Sequence, residues 1–175
     1  MAANTTTQAR RSRIVEAQDS VTRPNDTTQY TAGDPISDNA TTPTAAGYFV
    51  FDFAGQVGAG LRLLDFTAHK STNATTGADF DLLLFTALPA LAGFEDNAAC
   101  AITDAEMQDC KGVVRFTNGA WTNVITGAVQ TVSFERGVVL ASTSSILYGI
   151  LINASTYTPA ASEVFTITAH AAQEN

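Results

Sequence analysis

Charge is scarce in this sequence. Asp, Glu, Lys and Arg make up 15% of its 175 residues, against about 25% in ordinary soluble domains, and Thr, Ser, Asn and Ala fill much of the gap. A surface of small neutral polar groups suits a protein packed against neighbours. What charge there is runs acidic, with a formal net of −8, which argues against a nucleic-acid partner. Cysteine is scarcer still. Cys100 and Cys110 are too few for a disulfide framework and flank a helix-like segment, so two free thiols are expected. The two histidines, His69 and His170, lie far apart among strand residues, and no His or Cys cluster offers the four or so ligands of a zinc site. No metal or other cofactor is expected. No apolar run approaches the ~20 residues of a membrane span, and "MAANTTTQARRSRIVEAQ" has no apolar h-region, so neither a membrane partner nor a secretory signal is expected and assembly belongs in a cytoplasm.

The charge is unevenly spread. Residues 1–23 carry Arg10, Arg11, Arg13 and Arg23 against Glu16 and Asp19, a local net of +2 that leaves −10 on the remainder. A basic arm on an acidic body can dock on an acidic neighbour. Residues 1–20 are therefore read as an extended N-terminal arm and 21–175 as one domain, large enough to bury a core.

From residue 47 onward, apolar β-rich runs alternate with turn signals. "AGYFVFDF" sets Phe49, Phe51 and Phe53 on one face, and "ADFDLLLFTALP" sets Phe80, Leu82 and Leu84 on one face. "GAGLRLLDFTAHKST", "VVRFTNGAWTNVI", "AVQTVSFERGVVLA", "SILYGILINAS" and "SEVFTITAHAA" read as further strands, with turns at 55–60 and at Asn118-Gly119. Between them Thr103-x-x-Glu106 is a capping-box pattern that predicts a short helix over about 103–110. With residues 13–22 as another strand, the count is about eight strands and one helix. That pattern makes the fold all-β, a β-sandwich of jelly-roll type, with Phe49, Phe51, Phe53, Leu82, Leu84, Ile150 and Ile152 between the sheets.

Chemistry is hard to find. Asp79 and Asp81 share a strand face. Paired carboxylates serve glycosidases or calcium sites, but beginning a strand and facing solvent is the simpler reading. His69-Lys70 reads as a surface strand end. No G-x-S-x-G, H-E-x-x-H or phosphate-binding loop is present. No catalytic residue is assigned, and no enzyme is expected.

One stretch is distinctive. "VTRPNDTTQYTAGDPISD" resembles the TRP-x-DTT-x-Y-x-AGD signature of a group of tailed-bacteriophage virion proteins. "ADFDLLLFTALPA" and "LYGILINASTYTPAASEVFTITA" are similar to two later blocks of that group, in the same order, so the resemblance spans about residues 20–170. Pro35, where a β-branched residue is common, and the Arg-bearing leader depart from it. The resemblance implies a capsid decoration, or cement, protein with a jelly-roll sandwich. It would be located on the virion surface and assembled in the host bacterial cytoplasm, with the major capsid protein and further copies of itself, as a homo-dimer or homo-trimer, for partners.

Physically, the signature reads as an ordered, turn-rich edge. Pro24 fixes its own φ and extends Arg23. Asp26 accepts from the N–H of Thr27 or Thr28, Tyr30 drops onto the core, and Gly33-Asp34 turns the chain. Arg23 and Tyr30 are expected to be structural anchors, and Arg10, Arg11 and Arg13 to be the capsid-contacting part of the arm. Deleting residues 2–17 is expected to cost capsid affinity and leave the fold intact. The alternative function is a carbohydrate-binding jelly roll on a head or tail fibre, which requires Trp121, Tyr148 or Tyr157 clustered and exposed. A glycosidase built on Asp79 and Asp81 is a third.

Overall fold

The computed structural model describes residues 13–53, 61–140 and 146–173. Among them are ten strands: β1 (Arg13–Thr22), β2 (Pro35–Ile36), β3 (Phe49–Asp52), β4 (Leu61–Lys70), β5 (Phe80–Phe85), β6 (Cys110–Phe116), β7 (Thr122–Val124), β8 (Gly127–Leu140), β9 (Ile146–Asn153) and β10 (Val164–Gln173). One sheet runs β1-β10-β4-β8-β7; the other runs β2-β9-β5-β6, with β3 also pairing β9. All pairings are antiparallel. Early strands meet late ones in turn: β1 with β10, β2 and β3 with β9, β4 with β8, β5 with β6. This is one long antiparallel ribbon rolled into two sheets, which is the jelly-roll topology.

Alternation makes the interior. Phe49, Phe51 and Phe53 are buried, as are Phe80, Leu82 and Leu84, and nine of the ten phenylalanines are buried in all. Each is worth roughly 1.5–3 kcal/mol over an exposed one. In β4 the register shifts between Leu63 and Asp65, so the inward positions change parity from Leu61 and Leu63 to Phe66, Ala68 and Lys70. Gly149 faces the same core. A Cβ there would come within 2.9 Å of both Leu82 Cδ1 and Phe51 Cε2, so the two phenylalanines of β3 can stack only against a bare backbone. Asp19 of β1 reaches across the corner, its carboxylate accepting the Val50 N–H at 2.7 Å, which satisfies an otherwise open edge of β3.

Several expectations require correction. The arm boundary at residue 20 falls inside a strand. Residues 13–22 pair residue by residue with β10, and Ala17 and Val21 are buried, so deletion to residue 17 would remove half of β1. Arg13 begins that strand, whereas Arg10 and Arg11 lie outside the described residues, as does the turn expected at 55–60. Ile150 and Ile152 are buried, but not between the sheets. They join Phe85 and Phe94 in a second cluster on the outer face of the β9–β5 sheet. The cover is the long β5–β6 connection, whose ends meet where Thr86 N–H donates to the Asp109 carbonyl at 3.2 Å.

That connection contains α1 (Asp104–Met107), shorter than expected because the chain turns into β6 at Cys110. Its capping box forms with both bonds present. The Glu106 carboxylate also accepts the Ala90 N–H at 2.6 Å. That bond, followed by those from Thr103, holds its pKa below the usual value. Asn118–Ala120 is a 3-10 turn, not a hairpin turn, because there the chain crosses from one sheet to the other. Its start is held by the Asn118 N–H on Asp79, and its end by the Trp121 indole N–H on the Ala78 carbonyl.

Candidate functional site

The signature segment leaves β1 at Thr22 and crosses one end of the sandwich before becoming β2. Its register is set by a single antiparallel bridge, Tyr30 with Tyr157, and by Gly33 N–H donating to the Asn153 carbonyl at 2.8 Å. Gly33 has a φ of 100° with open space around its Cβ position. Backbone conformation, not crowding, therefore calls for glycine there. Asp34, next in line, accepts the Thr31 N–H and hydroxyl at 2.6 and 2.8 Å, closing the turn.

Arg23 is the centre of this segment, with its side chain fully buried. Nε donates to the Tyr30 hydroxyl at 2.9 Å, Nη2 to Asp26 Oδ1 at 2.9 Å, and Nη1 to the carbonyls of Asp26, Pro24 and Ala160. Asp96, from the β5–β6 connection, lies 3.5 Å from Nη2. It accepts the Tyr30 hydroxyl at 2.5 Å and the Ser37 N–H at 3.0 Å. Asp26 also accepts the Thr28 N–H. That bond and the one from Arg23 lower its pKa. Burial works against the Arg23 charge, yet its bonds to Tyr30 and Asp26 leave its pKa raised. Burial raises Asp96, against the opposing Ser37 N–H and Tyr30 hydroxyl.

A second, parallel arrangement sits beside the first. Lys70 is fully buried, contrary to its reading as a surface strand end, because the β4 register shift turns it inward. Its Nζ lies 3.1 Å from Glu163 Oε1, 3.1 Å from the Tyr157 hydroxyl and 3.0 Å from the Thr72 hydroxyl and carbonyl. Tyr157 donates to Glu163 Oε2 at 2.6 Å. Each unit is thus a cation, a tyrosine and a carboxylate. The two units join through the Tyr30–Tyr157 bridge and through Arg23 N–H on the Glu163 carbonyl at 3.1 Å. Of this double lock, Asp96, Lys70, Tyr157 and Glu163 were not singled out as anchors from sequence. Polar residues close to the ends of apolar strands were the available signal, and pairing over 70 to 140 residues of chain is not legible locally.

The lock has a pH signature. Burial, followed by the charges of Asp96 and Glu163, raises the pKa of Tyr30 and of Tyr157 above the ordinary 10.0. Groups with raised folded pKa contribute stability below the unfolded value and lose it as pH rises beyond. Melting temperature is therefore expected to fall once pH passes about 10, and less steeply in Tyr30→Phe and Tyr157→Phe, which start from a lower value. Lys70, lowered by burial, acts in the opposite direction, one group against two phenols. Thermal scans from pH 8 to 11 check this.

The remaining candidates are structural in their contacts. Asp81 pairs with Arg115, whose Nε is 2.7 Å from Oδ1, and Asp79 takes the Asn118 N–H. His170 sits between Asp65 at 2.6 Å and Glu16 at 3.6 Å, and His69 is exposed at the end of β4. Among the described residues no group of three or more His, Cys, Asp or Glu is placed to hold a metal ion. Both cysteines are free thiols. The aromatics of the carbohydrate reading do not gather on one exposed surface. Tyr157 is buried, Trp121 packs half-buried on Phe80 and Phe116, and Tyr148 belongs to the outer-face cluster with Tyr48.

No protein-family model matches this chain, and no curated protein matches it. Similar solved structures include chains from viruses. A chain of desmodium yellow mottle tymovirus is 9% identical over 95% of this chain and 83% of its own length, with a TM-score of 0.28. One of turnip yellow mosaic virus is 8% identical over 100% and 87%, at 0.28. One from a full particle of Israeli acute paralysis virus is 12% identical over 92% and 71%, at 0.33. Likeness of this degree carries no functional argument, and the jelly-roll assignment rests on the strand order of the chain itself.

Proposed function

We propose that this chain is a structural protein of a tailed-bacteriophage virion: a decoration, or cement, protein that binds the outer surface of the major capsid protein shell and bridges neighbouring capsomers. The observation that carries this reading is the double lock. The first and last sequence blocks that resemble phage virion proteins, separated by more than a hundred residues, meet in it and are buried against one another. Those blocks therefore serve as scaffold, and contact with partners is left to edges, loops and the basic leader with Arg10 and Arg11.

A shell holding packaged DNA is under outward load. A cement subunit adds free energy by burying on the order of 1,000 Å² against adjacent capsomers, and repetition over many sites multiplies modest contacts. Symmetry axes of the shell are natural docking points for a homo-dimer or homo-trimer. Quantitative mass spectrometry of purified particles tests the reading. A simple ratio to the major capsid subunit, implying hundreds of copies, is expected. A handful of copies would favour a fibre and the carbohydrate-binding alternative, and absence would overturn the virion role. Deletion of residues 2–12, which spares β1, is the matching test of the leader: weaker particle binding at unchanged melting temperature is expected.

A further inference from the structure

Asn118-Gly119 is the only Asn-Gly pair in this sequence, and the fold makes no demand for its glycine. Gly119 is not among the described residues with positive φ, which are Asn97, Ile125, Ser162, Gly33 and Gly77, and a Cβ added to it would meet nothing within 4 Å. Both residues are exposed, at the crossing from β6 to β7. Glycine after asparagine leaves the next backbone nitrogen unshielded, so that it can approach the asparagine side chain closely. Other asparagines are guarded. Asn153 is buried with its side-chain amide on the Thr31 carbonyl at 3.0 Å, and Asn39 Oδ1 accepts the Thr41 N–H at 2.9 Å; both precede alanine. Helical backbone holds the following nitrogen away from an asparagine side chain, but the helix here is a 3-10 turn of three residues. Ala120 N–H on the Thr117 carbonyl at 3.0 Å closes it. One backbone hydrogen bond adds little net stability, so the opened turn is populated to roughly one part in ten. Gly119, free of a side chain, takes up the rotation of the Asn118–Gly119 peptide while Asp79 and Ala78 hold the two ends.

We propose that Asn118-Gly119 is a self-modification site, at which the chain converts Asn118 into aspartate and isoaspartate with water as the sole co-reactant. The Gly119 nitrogen bonds to Asn118 Cγ and gives up its proton as the side-chain amide leaves as ammonia, which closes a cyclic imide. Water then opens the ring at either carbonyl. One opening gives aspartate. The other gives isoaspartate, in which the main chain runs through the former side chain and is longer by a methylene. Either product adds a negative charge beside Asp79. The isoaspartate form also lengthens the chain between two fixed points, the Asn118 N–H on Asp79 Oδ1 at 2.9 Å and the Trp121 indole N–H on the Ala78 carbonyl at 2.7 Å. Trp121 packs edge-on against Phe80 with ring centroids 5.9 Å apart, so slack at the crossing is passed to the core. The site is therefore a clock: its converted fraction records the age of the folded chain, and conversion loosens the β6–β7 crossing.

Peptide mapping by mass spectrometry of the folded protein held at pH 6 and at pH 8 tests the site, since attack by the nitrogen needs its proton removed. Isoaspartate at position 118 is expected, forming at least tenfold faster at pH 8 and no more than about tenfold slower than in the same chain unfolded in guanidinium. Gly119→Ala, which the open space at 119 accommodates, is expected to melt no lower than wild type and to convert at least tenfold more slowly. Absence of isoaspartate from the folded protein over a period in which the unfolded chain converts overturns the proposal, because the turn then shields the bond. Equal rates in wild type and Gly119→Ala overturn it too, since the 119 nitrogen would not be the attacking group. The converted fraction, separated by its extra charge, is expected to melt about 3 °C or more below wild type, with Trp121 emission shifted to the red. A converted fraction that melts as wild type does overturns the loosening of the crossing.

Discussion

Arg23→Met is expected to destabilise the protein by about 3–5 kcal/mol, seen as a fall in melting temperature of about 10 °C. Methionine replaces most of the apolar stem, so the loss comes from what the guanidinium leaves behind. Asp96 stays buried within reach of Tyr30 and Ser37 but without a cation, and the carbonyls of Pro24, Asp26 and Ala160 lose their donor. An uncompensated buried carboxylate costs more than the pair contributes. Arg23→Lys is expected to recover no more than about half of the loss, because a single ammonium cannot span a hydroxyl, a carboxylate and three carbonyls from one planar group. A melting temperature within about 2 °C of wild type would refute the anchoring role of Arg23.

Lys70→Met is expected to cost a similar ~3–5 kcal/mol, since Glu163 would remain buried with Tyr157 and Thr72 alone. The informative comparison is the double substitution Lys70→Met with Glu163→Leu. Replacing both charges by apolar groups is often neutral, so the pair is expected to regain at least half of the single-variant loss. Urea denaturation of the wild type, both single variants and the double variant measures the coupling. If the losses simply add, the two groups act independently and the lock is not a unit. The lock ties the signature segment, the end of β4 and the start of β10 into one body, a stiffness that the proposed role between capsomers would require.

Much of this architecture was legible without coordinates. Period-2 alternation places Phe49, Phe51 and Phe53 on one face because successive side chains of a strand point oppositely, and that holds wherever the strand lies. Thr103 and Glu106 form their capping box because both partners sit within one turn. The Asp26 turn and the need for glycine at 33 are equally local. Each depends on residues a few positions apart, so the sequence alone determines it.

Other features depend on remote segments. Alternation says that Ile150 and Ile152 share a face, but which face needs covering is decided by residues 86–109, which lie over the outer side of β9. Lys70 reads as a surface residue until the register shift at Leu63–Asp65 is counted and Glu163 arrives from the turn just before β10. Residues 13–22 read as a strand, as they are, but that this strand belongs to the domain and not to an arm is decided by the ladder that β10 supplies, and Asp96 has no local sign of its role beside Arg23. The sequence by itself thus determined the strands, their apolar faces and the caps, through interactions within a few residues. The tertiary structure decided which faces are covered and which charges are buried, because burial is a property of what packs across the chain and not of the residue that is covered.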